Sequence, residues 1–183
     1  MTGSIESVAL PTMLRGLTLL DGYLVSAQEF CERRRISESS LLDAKLAPDM
    51  FTLVRQVQAA ADNAMNGMAR LAGVDAPAFA DTESDFDALR ARVANTFEFI
   101  ESLPREQLAM AGERLIDQRY RGVRKTMPGT AYLLGFLIPN FYFHIFMVYG
   151  ILLRDGVSLP PPPSSQAMDA VYARFEAIQT GGS

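Results

Sequence analysis

The sequence has little of the chemistry on which familiar catalytic and metal-binding sites depend. Its 183 residues include one cysteine, one histidine and no tryptophan. A single cysteine excludes an intrachain disulfide and any zinc site built from paired cysteines. A single histidine excludes the multi-histidine sites that transition metals commonly occupy. There is also no glycine-rich phosphate loop, Gly-x-Ser-x-Gly elbow or His-Glu-x-x-His motif, so we expect no cofactor and no resident metal.

Positive charge is also sparse. The net charge is -4 and the sequence pI is near 5.0, which argues against a general nucleic-acid binder. The dense basic run at 33–35 lies at a predicted helix end, where it complements the helix dipole. The N-terminus lacks a basic region followed by an apolar stretch, and the lone cysteine suits a reducing compartment, so a cytoplasmic location is expected.

What the sequence does have is a 49% apolar fraction arranged with helical periodicity, and the length is that of one domain. Helix one is predicted after Pro11, and helix two is predicted to open at Pro48 and to close at Gly73. Helix three follows a capping pair at Thr82 and Asp85. Residues 105–129 lose the helical period, which predicts a short hairpin or an irregular crossover.

The fourth helix is predicted in the most apolar stretch, residues 130–153, with a kink at Pro139. Its length alone would admit a membrane span. Asn140 and His144 share one face of it, however, and the three amphipathic helices need an apolar partner, so we favour the centre of a bundle and no membrane.

The tail differs in composition from the rest of the chain. We assign residues 1–159 to the bundle domain and 160–183 to a polyproline spacer followed by a short amphipathic helix that is not a separate domain.

Few residues stand out as candidates for a site. His144 is the one side chain whose ordinary pKa lies near neutrality, and it is either a satisfied structural imidazole or a ligand contact. Asn140 either caps the helix after Pro139 or faces a pocket beside His144. On helix two, Asp49, Gln56 and Asn63 recur every seven residues as a polar line that a solvated face would also explain. Tyr132 is one of several aromatic side chains that are available to line a pocket.

Several strings carry a resemblance to a known family. They are Leu-Ala-Pro-Asp-Met-Phe at 46–51, Arg-Gln-Val-Gln at 55–58, Ala-Arg-Leu-Ala-Gly at 69–73, Pro-Asn-Phe-Tyr-Phe-His at 139–144 and Tyr-Gly-Ile-Leu-Leu-Arg-Asp-Gly-Val at 149–157. Over residues 5–157 the chain resembles a bacterial family of unknown function grouped with the DinB/YfiT-like four-helix bundles.

The resemblance implies an all-α four-helix bundle with a long crossover between helices three and four, often assembled as a homodimer. Many members of the wider superfamily resemble metal-dependent, thiol-using transferases or isomerases with three histidines, one on helix two and a His-x-x-x-His pair on helix four. His144 corresponds to one of that pair, but Val148 stands four residues later and helix two has no histidine. The three-histidine site therefore does not carry over to this chain.

Two functional hypotheses follow. The first is a metal-free homodimer that binds a small apolar ligand or a protein partner through a candidate pocket at His144, Asn140, Gln56, Asp49 and Tyr132. The alternative is a divergent metal-dependent transferase or hydrolase that uses His144 with carboxylates such as Asp49 or Asp62.

Overall fold

The structure, a computed structural model, describes residues 4–120 and 122–160. Within them the chain forms, in order, α1 (Ile5–Arg34), α2 (Ser39–Leu42), α3 (Leu53–Ala72), α4 (Phe86–Glu101), α5 (Arg105–Ala109), β1 (Leu115–Tyr120), β2 (Val123–Pro128), α6 (Gly129–Tyr132), a π-helical segment (Leu133–Leu137) and α7 (Ile138–Arg154). The four predicted helices are α1, α3, α4 and the run from α6 to α7. The predicted spacer beyond Pro160 and the C-terminal helix lie outside the described residues and stay predictions.

The first helix begins earlier than predicted. Ser4 is its N-cap, because its hydroxyl accepts a hydrogen bond from the backbone N–H of Ser7 at 3.3 Å. Pro11 therefore lies inside α1 and does not precede it. A proline in the second turn removes one backbone hydrogen bond, and the cap together with the buried apolar face of this long helix offsets that loss.

The second predicted helix begins later than predicted. Thr52 is the N-cap of α3, since its hydroxyl accepts from the N–H of Arg55 at 3.3 Å. An isolated β-bridge between Lys45 and Thr52 closes the preceding loop. Asp49 therefore lies in an exposed turn and not in the first turn of a helix. The predicted end at Gly73 is confirmed, and its φ of +70° is a conformation that glycine adopts without strain.

The start of α4 is set by Asp85 and not by a capping pair with Thr82. The carboxylate of Asp85 accepts a hydrogen bond from the N–H of Ala88 at 2.7 Å. The helix then runs to Glu101, three residues before Pro104.

Four long helices surround one apolar core. Helix α1 packs against α4 and α7, and α3 packs against the same two helices, so α1 and α3 lie across a diagonal of the bundle. Cys31 is buried among the core residues, as expected for a small apolar filler. The largest fully buried side chains of the core are Tyr23, Tyr132, Phe86, Phe141, Met13, Leu17, Leu20, Leu24, Leu53, Met65, Met68 and Leu71.

The crossover from α4 to the last long helix contains an antiparallel hairpin of β1 and β2, paired from Leu115 with Pro128 to Tyr120 with Val123. Of the two predicted forms of this segment, the hairpin is the one found, so the fold is mostly helical but the strict all-α class is wrong. The physical reason is the period of two in β1, in which Ile116 is buried against the bundle while Leu115 and Asp117 are exposed.

The last long helix is interrupted by the π-helical segment immediately before Pro139. Proline cannot donate a backbone hydrogen bond to the preceding turn, and the wider π turn occurs where that bond is missing. This run and α1 are both long and apolar enough to cross a membrane, with mean hydropathies of 1.7 and 1.2. Both helices also supply core residues to the bundle. The core helix of a soluble protein can have the same length and hydropathy as a membrane span.

Two glycines of α1 give a matched test of this packing. A Cβ on Gly16 would overlap the ring of Phe141, whereas one on Gly22 would meet nothing within 4 Å. We expect Gly22→Ala to raise the free energy of unfolding by about 0.5–1 kcal/mol through helix propensity. Gly16→Ala gains the same propensity but overpacks the interface at a cost of about 1–3 kcal/mol, so it should destabilise relative to Gly22→Ala. Urea unfolding of both variants measures the difference, and equal stabilisation would contradict the close approach of α1 and α7.

Candidate functional site

A pocket of about 280 Å³ lies between α3 and the run from α6 to α7. We call it the α3–α7 pocket. Its α3 side carries residues spaced three or four apart, and the opposite side carries residues spaced four apart, so each helix presents one face to the pocket. Most of the side chains are polar. The lining residues are Arg55, Ala59, Asp62, Asn63, Asn66 and Arg70 of α3, Gln118 of β1, Tyr132 of α6, Phe136 of the π segment, and Asn140 and His144 of α7.

His144 is held in a defined orientation by a buried amide. Its Nδ1 lies 2.7 Å from Oε1 of Gln56, which is only 1% exposed. An amide oxygen can only accept, so in this arrangement Nδ1 carries the proton and donates it. The ring of Phe143 packs edge-on against the imidazole at a centroid distance of 5.2 Å. Among the described residues Nε2 has no partner, and in the neutral imidazole this atom is a hydrogen-bond acceptor.

The environment of His144 favours its neutral form. Burial, and then the positive charge of Arg55, lower the pKa of His144 below its usual range. A histidine in the unfolded chain has a pKa of about 6.5, so the stability that the neutral ring contributes to the fold is complete above that pH. This stabilisation is lost as the pH falls through the lower pKa that His144 has in the folded protein.

This shift is directly measurable because the chain has one histidine. We expect a pH titration of its ring resonances by NMR to give a pKa below about 6.5. His144→Gln should flatten the loss of stability between neutral and mildly acidic pH, with thermal unfolding as the measurement. A measured pKa at or above the unfolded value would contradict the buried, neutral assignment.

At the Tyr132 side of the pocket, a phenol lies beside a cation. Tyr132 is 1% exposed, and its hydroxyl oxygen accepts a hydrogen bond from Nη1 of Arg70 at 3.3 Å. Burial raises the pKa of Tyr132 even though Arg70 opposes this, so the phenol keeps its proton. Because the oxygen is the acceptor towards Arg70, the hydroxyl proton is left for another partner.

The other charged groups of the pocket are already paired. Asp62 accepts from Nη2 of Arg92 at 2.6 Å, and Arg55 donates to Asp81 at 2.6 Å. In the described part of the chain, Arg70 makes no ion pair. Arg70 is therefore the charged lining residue that has no ion-pair partner among the described residues.

Two of the four buried side-chain polar atoms that lack a hydrogen-bond partner among the described residues belong to residues lining this pocket, and the other two are Oη of Tyr23 and Nε of Arg92. In the described residues, Oδ1 of Asn63 and Oε1 of Gln118 are buried and lack a hydrogen-bond donor. Leaving such a group unsatisfied costs about 1–3 kcal/mol, so it is uncommon in a purely structural position.

The residues do not fit the metal site of the superfamily. Within residues 4–120 and 122–160, no three histidine, cysteine or acidic side chains are grouped so that they could hold a metal ion. Asp62 does line the same pocket as His144, but its carboxylate is engaged by Arg92. Val148 is buried in the core.

The structure brings most of the predicted site residues together. Tyr132, Asn140 and His144 line the pocket, and Gln56 supports His144 from behind. Asp49 is outside it, because the loop before Thr52 carries that residue into solvent.

Sequence reasoning missed Arg55, Asn66, Arg70 and Gln118. A usable signal was present on α3, where the polar line through Gln56 and Asn63 is adjacent to Asn66 and Arg70 at steps of three and four. Gln118 comes from the hairpin, and a helical period cannot predict it.

Comparisons with known proteins agree on the family. Residues 6–160 match a domain of unknown function, DUF1993. The chain is similar to a solved crystal structure of a DinB family member protein from Shewanella denitrificans, with 35% sequence identity and a TM-score of 0.76, over 82% of this chain and 85% of that chain. No curated protein matches. Because the family match takes in most of the chain, this protein belongs to the DUF1993 family, and its helical bundle has a DinB-like fold.

Proposed function

We propose that this protein binds a small polar molecule in the α3–α7 pocket without a resident metal. The observation that carries the proposal is the set of unsatisfied hydrogen-bonding groups on the residues that line one small cavity. They are the free Nε2 of a neutral, oriented His144, the free proton of Tyr132 and the buried oxygens of Asn63 and Gln118. Pockets with a few convergent polar groups are the usual binding sites for small ligands.

The character of the pocket revises the expected ligand. The aromatic composition of the last helix suggested an apolar molecule, but Phe141 and Tyr23 are in the core, and Phe143 lies edge-on to the imidazole. Phe136 is the purely apolar aromatic side chain among the lining residues. Most of the other lining side chains are amides, arginines, a phenol and an imidazole. A polar ligand can form hydrogen bonds with these groups, whereas an apolar ligand would bury them without hydrogen-bond partners.

Binding is better supported than metal-dependent chemistry. A metal-dependent transferase would need further ligands beside His144, and Asp62, the acidic residue that lines the same pocket, is already ion-paired with the buried Arg92. His144 supports hydrogen bonding as it stands, because Gln56 fixes which nitrogen carries the proton.

A panel of small carboxylates, hydroxy acids and amides tests the proposal through the melting temperature. A ligand at one hundred times its Kd stabilises by about 2.7 kcal/mol, which is a shift of roughly 5–10 °C for a chain of this size. We expect such shifts for the wild type. Ala59→Leu, which fills the pocket from α3, should abolish them.

A matched control comes from α4. Ala94→Leu adds the same side chain at an exposed position outside the α3–α7 pocket and should keep the ligand response. If Ala59→Leu and the wild type were stabilised equally by every active compound, the pocket would not be the binding site.

Two further predictions stay open beside this one. The homodimer that the resemblance implies is tested by the mass of the particle in solution, measured by light scattering. The cytoplasmic location is tested by fractionation of cells that express the chain.

A further inference from the structure

The charges of the α3–α7 pocket differ between its two ends. Arg70 and Tyr132 meet at one end, and His144 with Arg55 is at the other. Tyr132 and His144 are twelve residues apart on one helical run, which is roughly 18 Å along its axis at 1.5 Å per residue. A ligand that uses both ends is therefore extended.

The Arg70 end favours an anion. Its guanidinium has no carboxylate partner among the described residues, and the hydroxyl of Tyr132 beside it has a proton to donate. Arginine offers parallel N–H donors that match the two oxygens of a carboxylate. The other charged lining residues, Arg55 and Asp62, are ion-paired with Asp81 and Arg92.

The His144 end favours a neutral donor. Nε2 accepts a hydrogen bond from an N–H or O–H group, and the guanidinium of Arg55 lines the pocket beside it. An ammonium group is therefore a poorer fit here than an amide or a hydroxyl.

The middle of the pocket favours amides. Asn63, Asn66 and Asn140 lie between the two ends, and each carboxamide has donor and acceptor atoms, although one N–H of Asn66 already donates to the carbonyl of Asp62 at 2.8 Å. A peptide group presents the same pair of functions in complementary order.

We propose that the ligand is an extended, peptide-like carboxylate whose end opposite the carboxylate is uncharged, such as an N-acylated short peptide. This inference rests on the proposed function. Its acid group binds Arg70 and Tyr132, its amides meet the asparagines, and an N–H near its acylated end donates to His144.

Three related compounds test this proposal. N-acetyl-triglycine has every feature, N-acetyl-triglycine amide lacks the carboxylate, and triglycine carries an ammonium at the far end. We expect the acetylated acid to bind at least tenfold more tightly than its amide and at least threefold more tightly than triglycine. NMR titration measures the three Kd values from the ring signals of His144.

Variants assign the two ends. Arg70 is exposed, so Arg70→Gln should leave the fold intact while it reduces the preference for acid over amide to within twofold. Arg105→Gln on α5, outside the pocket, should keep the full preference. Tyr132→Phe should weaken the acid about threefold and leave the amide unchanged.

The outcomes separate this inference from the proposed function. Equal binding of acid and amide, or a preference that survives Arg70→Gln, would overturn the carboxylate assignment while pocket binding stands. Responses to other polar compounds but to none of these three would also overturn it. If no polar compound acts through the pocket in the Ala59→Leu comparison, the proposed function itself fails.

Discussion

Arg92→Ala is expected to lower the free energy of unfolding by about 3–5 kcal/mol, the usual cost of removing one partner from a buried ionic cluster. The guanidinium is buried, and it donates to Glu83 at 2.6 Å, to Asp62 at 2.6 Å and to Asp81 at 3.0 Å. It also reaches the carbonyl of Ala80 at 3.2 Å. This cluster attaches the loop between α3 and α4 to both helices, and urea unfolding measures its contribution.

Glu83 accounts for most of that loss. Its side chain is 10% exposed, whereas Asp62 and Asp81 are 33% and 45% exposed and regain water when Arg92 is removed. The matched control is Arg90→Ala two residues earlier, whose partner Asp21 is 40% exposed and which should cost no more than about 1 kcal/mol. Similar losses for the two variants would contradict the account of a buried cluster.

The same cluster predicts a dependence on pH. Burial opposes ionisation of Glu83, but hydrogen bonds from Arg92 and Gln58 outweigh it and lower the pKa of Glu83. The contribution of Glu83 to stability is therefore complete above the pKa of an unfolded glutamate, which is about 4.3. It is lost as the pH falls through the lower pKa that Glu83 has in the folded protein.

Gln56→Leu is expected to cost about 1–3 kcal/mol, because it leaves the buried N–H of His144 without an acceptor. It should also remove the constraint on which ring nitrogen carries the proton, which NMR of the imidazole nitrogens reports. Gln56→Glu keeps the acceptor and adds a negative charge, so it should raise the pKa of His144 relative to the wild type.

A glutamine on another helix provides the comparison. Gln28 on α1 donates to Asp87 at an exposed position, so Gln28→Leu should change the free energy of unfolding by no more than about 0.5 kcal/mol. An unchanged ring pKa in Gln56→Glu would contradict the contact between Gln56 and His144.

The helical part of the fold was predictable because its apolar residues repeat with the helical period. Helix ends were harder to predict from the sequence. Thr52 and not Pro48 marks the start of α3, and only the side-chain geometry distinguishes the two positions. The hairpin was predictable as a loss of the helical period. Ile116 is the one buried residue among the hairpin side chains that the structure describes, and a single apolar position is too little pattern to establish a strand by sequence alone.

The candidate site was predictable along one helix but not across the bundle. Asn140 and His144 share a face by spacing alone, and the structure adds Tyr132 on the same side of the pocket. That Gln56 would meet His144 depends on the relative position of α3 and α7, which follows from core packing. Arg92 was missed because a buried arginine and an exposed one have the same sequence signature until its acidic partners converge on it.

The most direct test of the account is to follow the ring nitrogens of His144 by NMR while the polar compounds are added to metal-free protein. We predict that the active compounds shift the Nε2 resonance at saturation with one molecule per chain, and that Ala59→Leu removes the shift. Stoichiometric binding that leaves His144 unchanged, or a response that requires added metal, would contradict it.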